Sequence, residues 1–133
     1  MRIYVAGTFG DQRDLRSKAA VLWELGHEVT GSWLNEVARP EHMPKDIFWR
    51  KLAIKDACEI FKADMIIQDN RQSSGGKNCE WGIGIGQFQA KQLWLVGEST
   101  NVFQELADYK FNTWDELFSF IKATYPTAKE QLS

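Results

Sequence analysis

Ile3-Tyr4-Val5-Ala6-Gly7-Thr8-Phe9-Gly10 begins as an unbroken apolar run and ends in a glycine-bounded loop. A short apolar run closed by turn residues is the pattern of a strand buried on both faces. Over residues 12–25, Leu15, Ala19, Leu22 and Trp23 then recur at helical spacing, and Gly26 follows as a stop. Strand, loop and helix in that order form half of a parallel crossover unit. The rest of the chain repeats the pattern. Glu28-Val29-Thr30 reads as a second strand and residues 31–45 as a loop holding Gly, Pro and His. A second helix is expected from about Asp46 to Lys62, with Phe48, Leu52, Ile54, Ala57 and Phe61 turned inward. Asp64 to Gln68 is the third strand, and a polar loop runs from Asp69 through Gly76.

Residues 77–90 are ambiguous, because Trp81-Gly82-Ile83-Gly84-Ile85-Gly86 alternates like a strand. Each helical glycine costs about 1 kcal/mol against alanine. The reading is still a helix, with Gly82 and Gly86 sharing a face where a backbone can pack closely. Leu93-Trp94-Leu95-Val96 is the fourth strand, ended by Gly97, and Tyr109-Lys110-Phe111 is a weak fifth. Thr113-Trp114-Asp115-Glu116 forms a capping box that opens a last helix through about Ala123. Continuous apolar strands alternating with helices predict a parallel sheet of four to five strands covered on both faces. The expected fold is therefore α/β: a doubly wound, Rossmann-like or flavodoxin-like three-layer sandwich, with one domain over residues 1–133. Sheets of this kind bind ligands at the carboxyl ends of their strands, near the point where strand order reverses.

The chain has 133 residues, enough for one core without disulfides or a structural metal. Sixteen Lys and Arg against eighteen Asp and Glu give a net charge of −2, which argues against a protein that grips nucleic-acid backbone. Cys58 and Cys79 lie far apart with no CxxC, and only His27 and His42 could help them, so no zinc site is expected. They read as reduced, mostly buried thiols of a cytoplasmic protein. The apolar run at the N-terminus is too short for a signal peptide, and no stretch approaches a membrane span. Six Trp and eight Phe in so short a chain are the compositional oddity.

Two loops could carry chemistry. Gly7, Thr8 and Phe9 deliver backbone N–H groups and a hydroxyl to a helix start, a natural place for an anion or a sugar hydroxyl. The same glycines also serve as ordinary turn chemistry. Gly82-Ile83-Gly84-Ile85-Gly86 lacks the spacing of a dinucleotide fingerprint. The stronger segment is Ser73-Ser74-Gly75-Gly76-Lys77-Asn78-Cys79-Glu80-Trp81-Gly82. It brings small residues to the mouth of the sheet and sets Glu80 in or near the first turn of the next helix, where a carboxylate is favoured. A carboxylate held rigidly at a pocket can attack an anomeric carbon and form a covalent glycosyl intermediate. Glu is also common in first turns for dipole reasons alone.

Taken together, these segments resemble the nucleoside 2-deoxyribosyltransferase family, including its relatives that hydrolyse 2′-deoxynucleoside 5′-monophosphates. The matching features are Tyr4-Val5-Ala6-Gly7-Thr8, Asp56 with Ala63-Asp64, Ser74-Gly75-Gly76, Glu80-Trp81-Gly82 and Leu93-Trp94-Leu95-Val96-Gly97. They cover about residues 2–120. The resemblance implies that Glu80 is the nucleophile, that Asp56 helps protonate the leaving base, and that Tyr4 orients the nucleophile. It implies that Gly7, Thr8, Phe9, Ser74 and Gly76 bind substrate, with Thr8 and Ser74 at the 5′ end of the sugar. Asp64 is left to cap and orient its strand. Asn101 resembles a residue lent to a neighbouring subunit's pocket, which implies a homodimer or a higher homo-oligomer.

The activity so implied is cleavage of the N-glycosidic bond of a 2′-deoxynucleoside or its 5′-monophosphate. It runs through a covalent deoxyribosyl-Glu80 intermediate, and the sugar passes to another base or to water. The implied partner is a small deoxynucleoside or deoxynucleotide, with no nucleic-acid polymer, membrane, metal or organic cofactor. Serine six positions before Glu80, where many transferases carry an acid, looks like the monophosphate branch. Yet no Arg precedes Arg13 in the first loop, so no cation is evident for a phosphate. Two other readings stay open: a non-catalytic nucleotide-binding or sensing module, and an NAD-type glycohydrolase. Trp23, Trp94 and Trp114 are expected in the core. Trp33, Trp49 and Trp81 are expected near the pocket or an interface, where Trp33, His42 and Trp49 could stack on a base.

Overall fold

Strands and helices alternate along the chain as β1 (Arg2–Ala6), α1 (Gln12–Glu24), β2 (Glu28–Val29), α2 (Lys45–Lys62), β3 (Met65–Asp69), α3 (Gly75–Ile85), β4 (Gln92–Val96), β5 (Tyr109–Phe111) and α4 (Trp114–Thr124). Short 3-10 turns occupy Phe9–Asp11, Ser32–Asn35 and Val102–Leu106. The structure is a computed structural model and describes residues 1–36, 39–72, 75–87 and 91–126. The five strands are all parallel and lie in the order β2-β1-β3-β4-β5. The expected doubly wound α/β sheet is thus present, with the short fifth strand included.

The order places the reversal between β1 and β3. From β1 the chain steps outward to β2, then crosses back to β3 on the other side. Right-handed crossovers in opposite directions put α1 and α2 on opposite faces. Accordingly α1 touches α4 on one face, and α2 touches α3 on the other. Tyr4 pairs with Ile66 and Ala6 with Gln68, so the two central strands meet in register beside the crevice. The core is built from them: Ile3, Val5, Ile66, Ile67, Trp94 and Leu95 have no exposed surface.

Several expectations change. Ile54 and Phe61 are more than half exposed, at 55% and 56%, as is Trp23 at 56%. Among the described residues of α2 only Ile60 is fully enclosed, because the helix lies over the sheet on one narrow stripe and is flanked by α3 and the Ser32–Asn35 turn. On α1, Leu15, Ala19 and Leu22 take the inward stripe and turn Trp23 outward. Both cysteines are free and exposed rather than buried. Helix α3 starts at Gly75, so Gly75 and Gly76 belong to its first turn and Asp69 is the last residue of β3. The glycine that meets the sheet is Gly84. A Cβ there would stand 2.3 Å from Ile66 Cδ1 and 3.0 Å from Leu93 Cδ2, whereas one at Gly82 would meet nothing within 4 Å. Gly86 lies beyond the end of the helix.

Other expectations hold with a variation. Thr113 caps α4 by accepting from the Glu116 N–H at 3.2 Å. The Glu116 carboxylate reaches back to the Asn112 N–H, one residue earlier than a capping box requires. Asp64 accepts from the Arg2 N–H at 2.8 Å and so ties the start of β1 to the start of β3.

Candidate active site

Tyr4 sits in the middle of β1, where alternation turns it and Ala6 toward one face of the sheet and Ile3 and Val5 toward the other. Helices α2 and α3 both contact β1. Asp56 on α2 and Glu80 on α3 line one cavity of about 240 Å³ with Ile60, Cys79 and Ile83. Glu80 is the sixth residue of α3, hence in its second turn rather than its first. The positive end of the helix therefore acts on it weakly, and burial dominates.

Charge is poorly compensated here. Among the described residues, Tyr4 Oη, Asp56 Oδ1, Glu80 Oε2 and Glu36 Oε1, and Thr8 Oγ1 beyond the end of β1, are enclosed without a hydrogen-bond partner. Buried polar atoms are nearly always paired, so such a cluster marks a place built for something else. Burial first, then the Asp56 charge, pushes Glu80 up to about 8. Burial and the charges of Glu36 and Glu59 push Asp56 up to about 6, with Lys55 opposing. Glu36 is raised in the same way, by burial. The Tyr4 phenol is raised by burial and then by Glu80 and Asp56, so it stays protonated. Glu80 lies close enough for phenol and carboxylate to influence each other, yet no hydrogen bond of regular geometry joins them.

Glu36 and Glu59 were not singled out by sequence. Glu59 accepts from the Ser32 N–H at 2.6 Å and from the Ser32 hydroxyl, clamping the turn after β2 onto α2. Its spacing of three from Asp56 was the available sign that both share a helix face. Glu36 carried no sign, since a loop has no period. Gln12 anchors that loop by donating to the carbonyls of Trp33 and Glu36, at 2.6 and 3.1 Å.

The remaining expected residues divide. Gly7 and Thr8 lie at the carboxyl end of β1, and Phe9 is exposed. Gly76 lies in the first turn of α3, and Ser74 falls outside the described residues. Asn101 is on the far flank of α3. Its Oδ1 accepts from the N–H groups of Phe103 and Gln104, capping the turn that follows β4. There it lines a larger, mainly apolar cavity of about 300 Å³ with Asn78, Trp81, Gly82, Ile85 and Phe103. Size favours that cavity, but the unpaired acids are in the smaller one, which is the better candidate for catalysis.

The tryptophans also divide. Trp33 is buried and donates from Nε1 to the Val5 carbonyl at 2.7 Å, which fixes the loop instead of offering a ring to a base. Trp49 and His42 are exposed, and the Lys45 ammonium lies 4.1 Å from the Trp49 ring. Trp81, Trp94 and Trp114 are buried. Among the described residues no group of three or more His, Cys, Asp or Glu is arranged to hold a metal ion. No described helix is long and apolar enough to cross a membrane.

No family model and no curated protein matches the sequence. Solved structures do. A 2-deoxyribosyltransferase from Bacillus psychrosaccharolyticus superposes with a TM-score of 0.70 at 23% identity, over 95% of this chain and 96% of that one. A conserved protein from Enterococcus faecalis V583 also gives 0.70, at 14% identity over 93% and 98% of the two chains. The Clostridium botulinum CMP N-glycosidase BcmB gives 0.60, at 16% identity over 92% and 99%. At these identities the likeness establishes the fold. The fold is the one that the sequence motifs led us to expect, shared along nearly the whole length of each chain.

Proposed function

We propose that the protein cleaves the N-glycosidic bond of a 2′-deoxynucleoside or its 5′-monophosphate, using Glu80 as nucleophile, Asp56 as acid and base, and Tyr4 as the group that positions Glu80. The observation that carries the reading is the convergence of the unpartnered Tyr4, Asp56 and Glu80 oxygens between β1, α2 and α3. The deoxyribosyltransferase and N-glycosidase activities of two structural relatives support the reaction class.

A Glu80 oxygen forms the bond to C1′ as the glycosidic C–N bond breaks. The bonding pair leaves with the base nitrogen, which takes a proton from Asp56. Asp56, now ionised, accepts a proton from water or from an incoming base as that nucleophile attacks C1′ and frees Glu80. The two raised carboxyls share one proton between about 6 and about 8. That singly protonated pair supplies both roles when the proton resides on Asp56. The Tyr4 phenol beside Glu80 favours this arrangement, since its proximity lowers Glu80.

The reading places the enzyme in the cytoplasm, where two free, exposed thiols are stable. It also makes the enzyme a homodimer or larger oligomer. Ile54 and Phe61 on α2 and Phe103 beside Asn101 are exposed, and a partner would cover them.

A panel of deoxynucleosides and their monophosphates, with and without a second free base, tests the proposal. Base exchange reports transfer and free sugar reports hydrolysis. Glu80→Gln should lower turnover by roughly 10³-fold or more while the protein still melts cooperatively. Undiminished turnover in that variant would sink the assignment.

A further inference from the structure

Glu36, Asp56, Glu59 and Glu80 act on one another in the crevice, and cleavage of the glycosidic bond uses only Asp56 and Glu80. Glu59 is occupied, because its carboxylate accepts from the Ser32 N–H at 2.6 Å and from the Ser32 hydroxyl. Glu36 is not. Among the described residues its Oε1 is enclosed without a hydrogen-bond partner, and so is Asp56 Oδ1. Tyr4, which has no exposed surface, adds an unpartnered Oη to the same crevice. Enclosed oxygens of this kind are normally paired, so Glu36 and Asp56 together ask for a hydrogen-bond donor.

A loop glutamate is free to turn its carboxylate out to water, but the backbone that carries Glu36 is pinned. Gln12 on α1 donates to the Trp33 and Glu36 carbonyls at 2.6 and 3.1 Å. Trp33 Nε1 donates to the Val5 carbonyl on β1 at 2.7 Å, and Glu59 on α2 holds Ser32. The Glu36 N–H closes the turn on the Trp33 carbonyl at 3.2 Å. Three elements thus fix the turn that presents this carboxyl to the crevice. Of the charges acting on Asp56, Glu36 is the strongest, ahead of Glu59. Glu80 feels Glu36 too, but less than it feels Asp56.

The two orphaned oxygens discriminate between attacking groups. When the base has left with the Asp56 proton, the Asp56 carboxylate must accept a proton from whatever attacks C1′. Water carries two O–H donors and can give one to Asp56 and the other to Glu36. A nucleobase attacking through a ring nitrogen brings a single N–H, flanked by a lone pair on one side and a C–H on the other. It has no second donor for Glu36 and leaves that oxygen unsatisfied.

We propose that Glu36, together with Asp56, seats the water that attacks C1′, so that the protein hydrolyses its glycosyl-Glu80 intermediate in preference to passing the sugar to a base. The inference rests on the N-glycosidase reading above and decides between its two outcomes. The water oxygen bonds to C1′ as one of its protons moves to Asp56. The C1′–Glu80 bond breaks and its electron pair returns to the Glu80 carboxylate. The second O–H, held by Glu36, stays in the hydroxyl of the released sugar, and no other reactant is consumed.

Product partition tests this. The protein is given the deoxynucleoside or monophosphate it cleaves fastest together with an excess of a second free base, and free sugar is measured against exchanged product. Wild-type protein should give mainly free sugar. Glu36→Leu should raise the ratio of exchange to hydrolysis by about 10-fold, the scale of one lost hydrogen bond. Glu36→Gln keeps an acceptor and should return most of the wild-type ratio. Both variants lose the charge beside Asp56, so the difference between them reports the hydrogen bond and not the charge. Should Glu36→Leu fail to fold, Glu36→Ala, expected to show the same rise, and the wild-type ratio still decide. Mainly exchanged product from wild type would overturn the proposal, as would a ratio that neither Glu36→Leu nor Glu36→Ala moves. Base release with such an unmoved ratio rejects this inference alone and leaves the N-glycosidase reading standing, whereas no base release from any substrate rejects both.

Discussion

Burial and the Asp56 charge both oppose the ionisation of Glu80 and push it up to about 8. Two measurements follow. If the singly protonated pair is the working form, kcat/KM against pH is a bell with limbs near about 6 and about 8. In Asp56→Asn the acid is lost and so is the charge that raises Glu80. Activity falls and the alkaline limb disappears; a bell unchanged in shape would reject the pairing. Stability responds as well. The folded-state value of Glu80 lies above its unfolded value near 4.5, so its favourable contribution is complete below 4.5 and is lost as pH rises through about 8. Glu80→Gln should therefore raise Tm at pH 9 by several degrees over wild type and by little at pH 4, as read in thermal melts. At this scale Glu80 was expected from its own segment, and Asp56 and Tyr4 only from the family resemblance. Glu36 was not, since nothing local distinguishes a loop glutamate that tertiary packing later encloses.

Helix α3 shows why elements are only partly legible. From Lys77 on, its buried positions are Lys77, Trp81 and Gly84, a helical i, i+4, i+7 stripe whose first member is charged. A lysine on the core face disguises the period, so the strand-like alternation of glycines competes with it and the wrong glycine seems to face the sheet. The two glycines give opposite predictions. Gly82→Ala adds a methyl to open space and should stabilise by about 0.5–1 kcal/mol through helix propensity. Gly84→Ala forces a methyl against the buried Ile66 and Leu93 and should destabilise by about 1–3 kcal/mol. Urea melts of the pair check both signs. The apolar residues of α2 were misread for a related reason. Helical spacing tells which residues share a face but not how much of that face the sheet covers.

Over the whole molecule, the exposed apolar surface on α2 and after β4 predicts self-association. Sedimentation velocity should show a dimer or larger species, and Ile54→Glu with Phe61→Glu should shift it toward monomer with loss of activity. A fully active wild-type monomer would refute this. The alternation of apolar strands with amphipathic helices determined the sheet, its parallel sense and the crossovers, because backbone hydrogen bonding and burial leave few alternatives to such a pattern. Tertiary structure decided what the local pattern could not carry. The order β2-β1-β3-β4-β5 brings Tyr4, Asp56 and Glu80 together from three separate elements. Their pKa values depend on how deeply each is enclosed and which charges face it across that crevice. Lys77 follows the same logic. It is an ordinary lysine in the sequence, and only the fold buries it, with its ammonium donating to the Asp69 carbonyl.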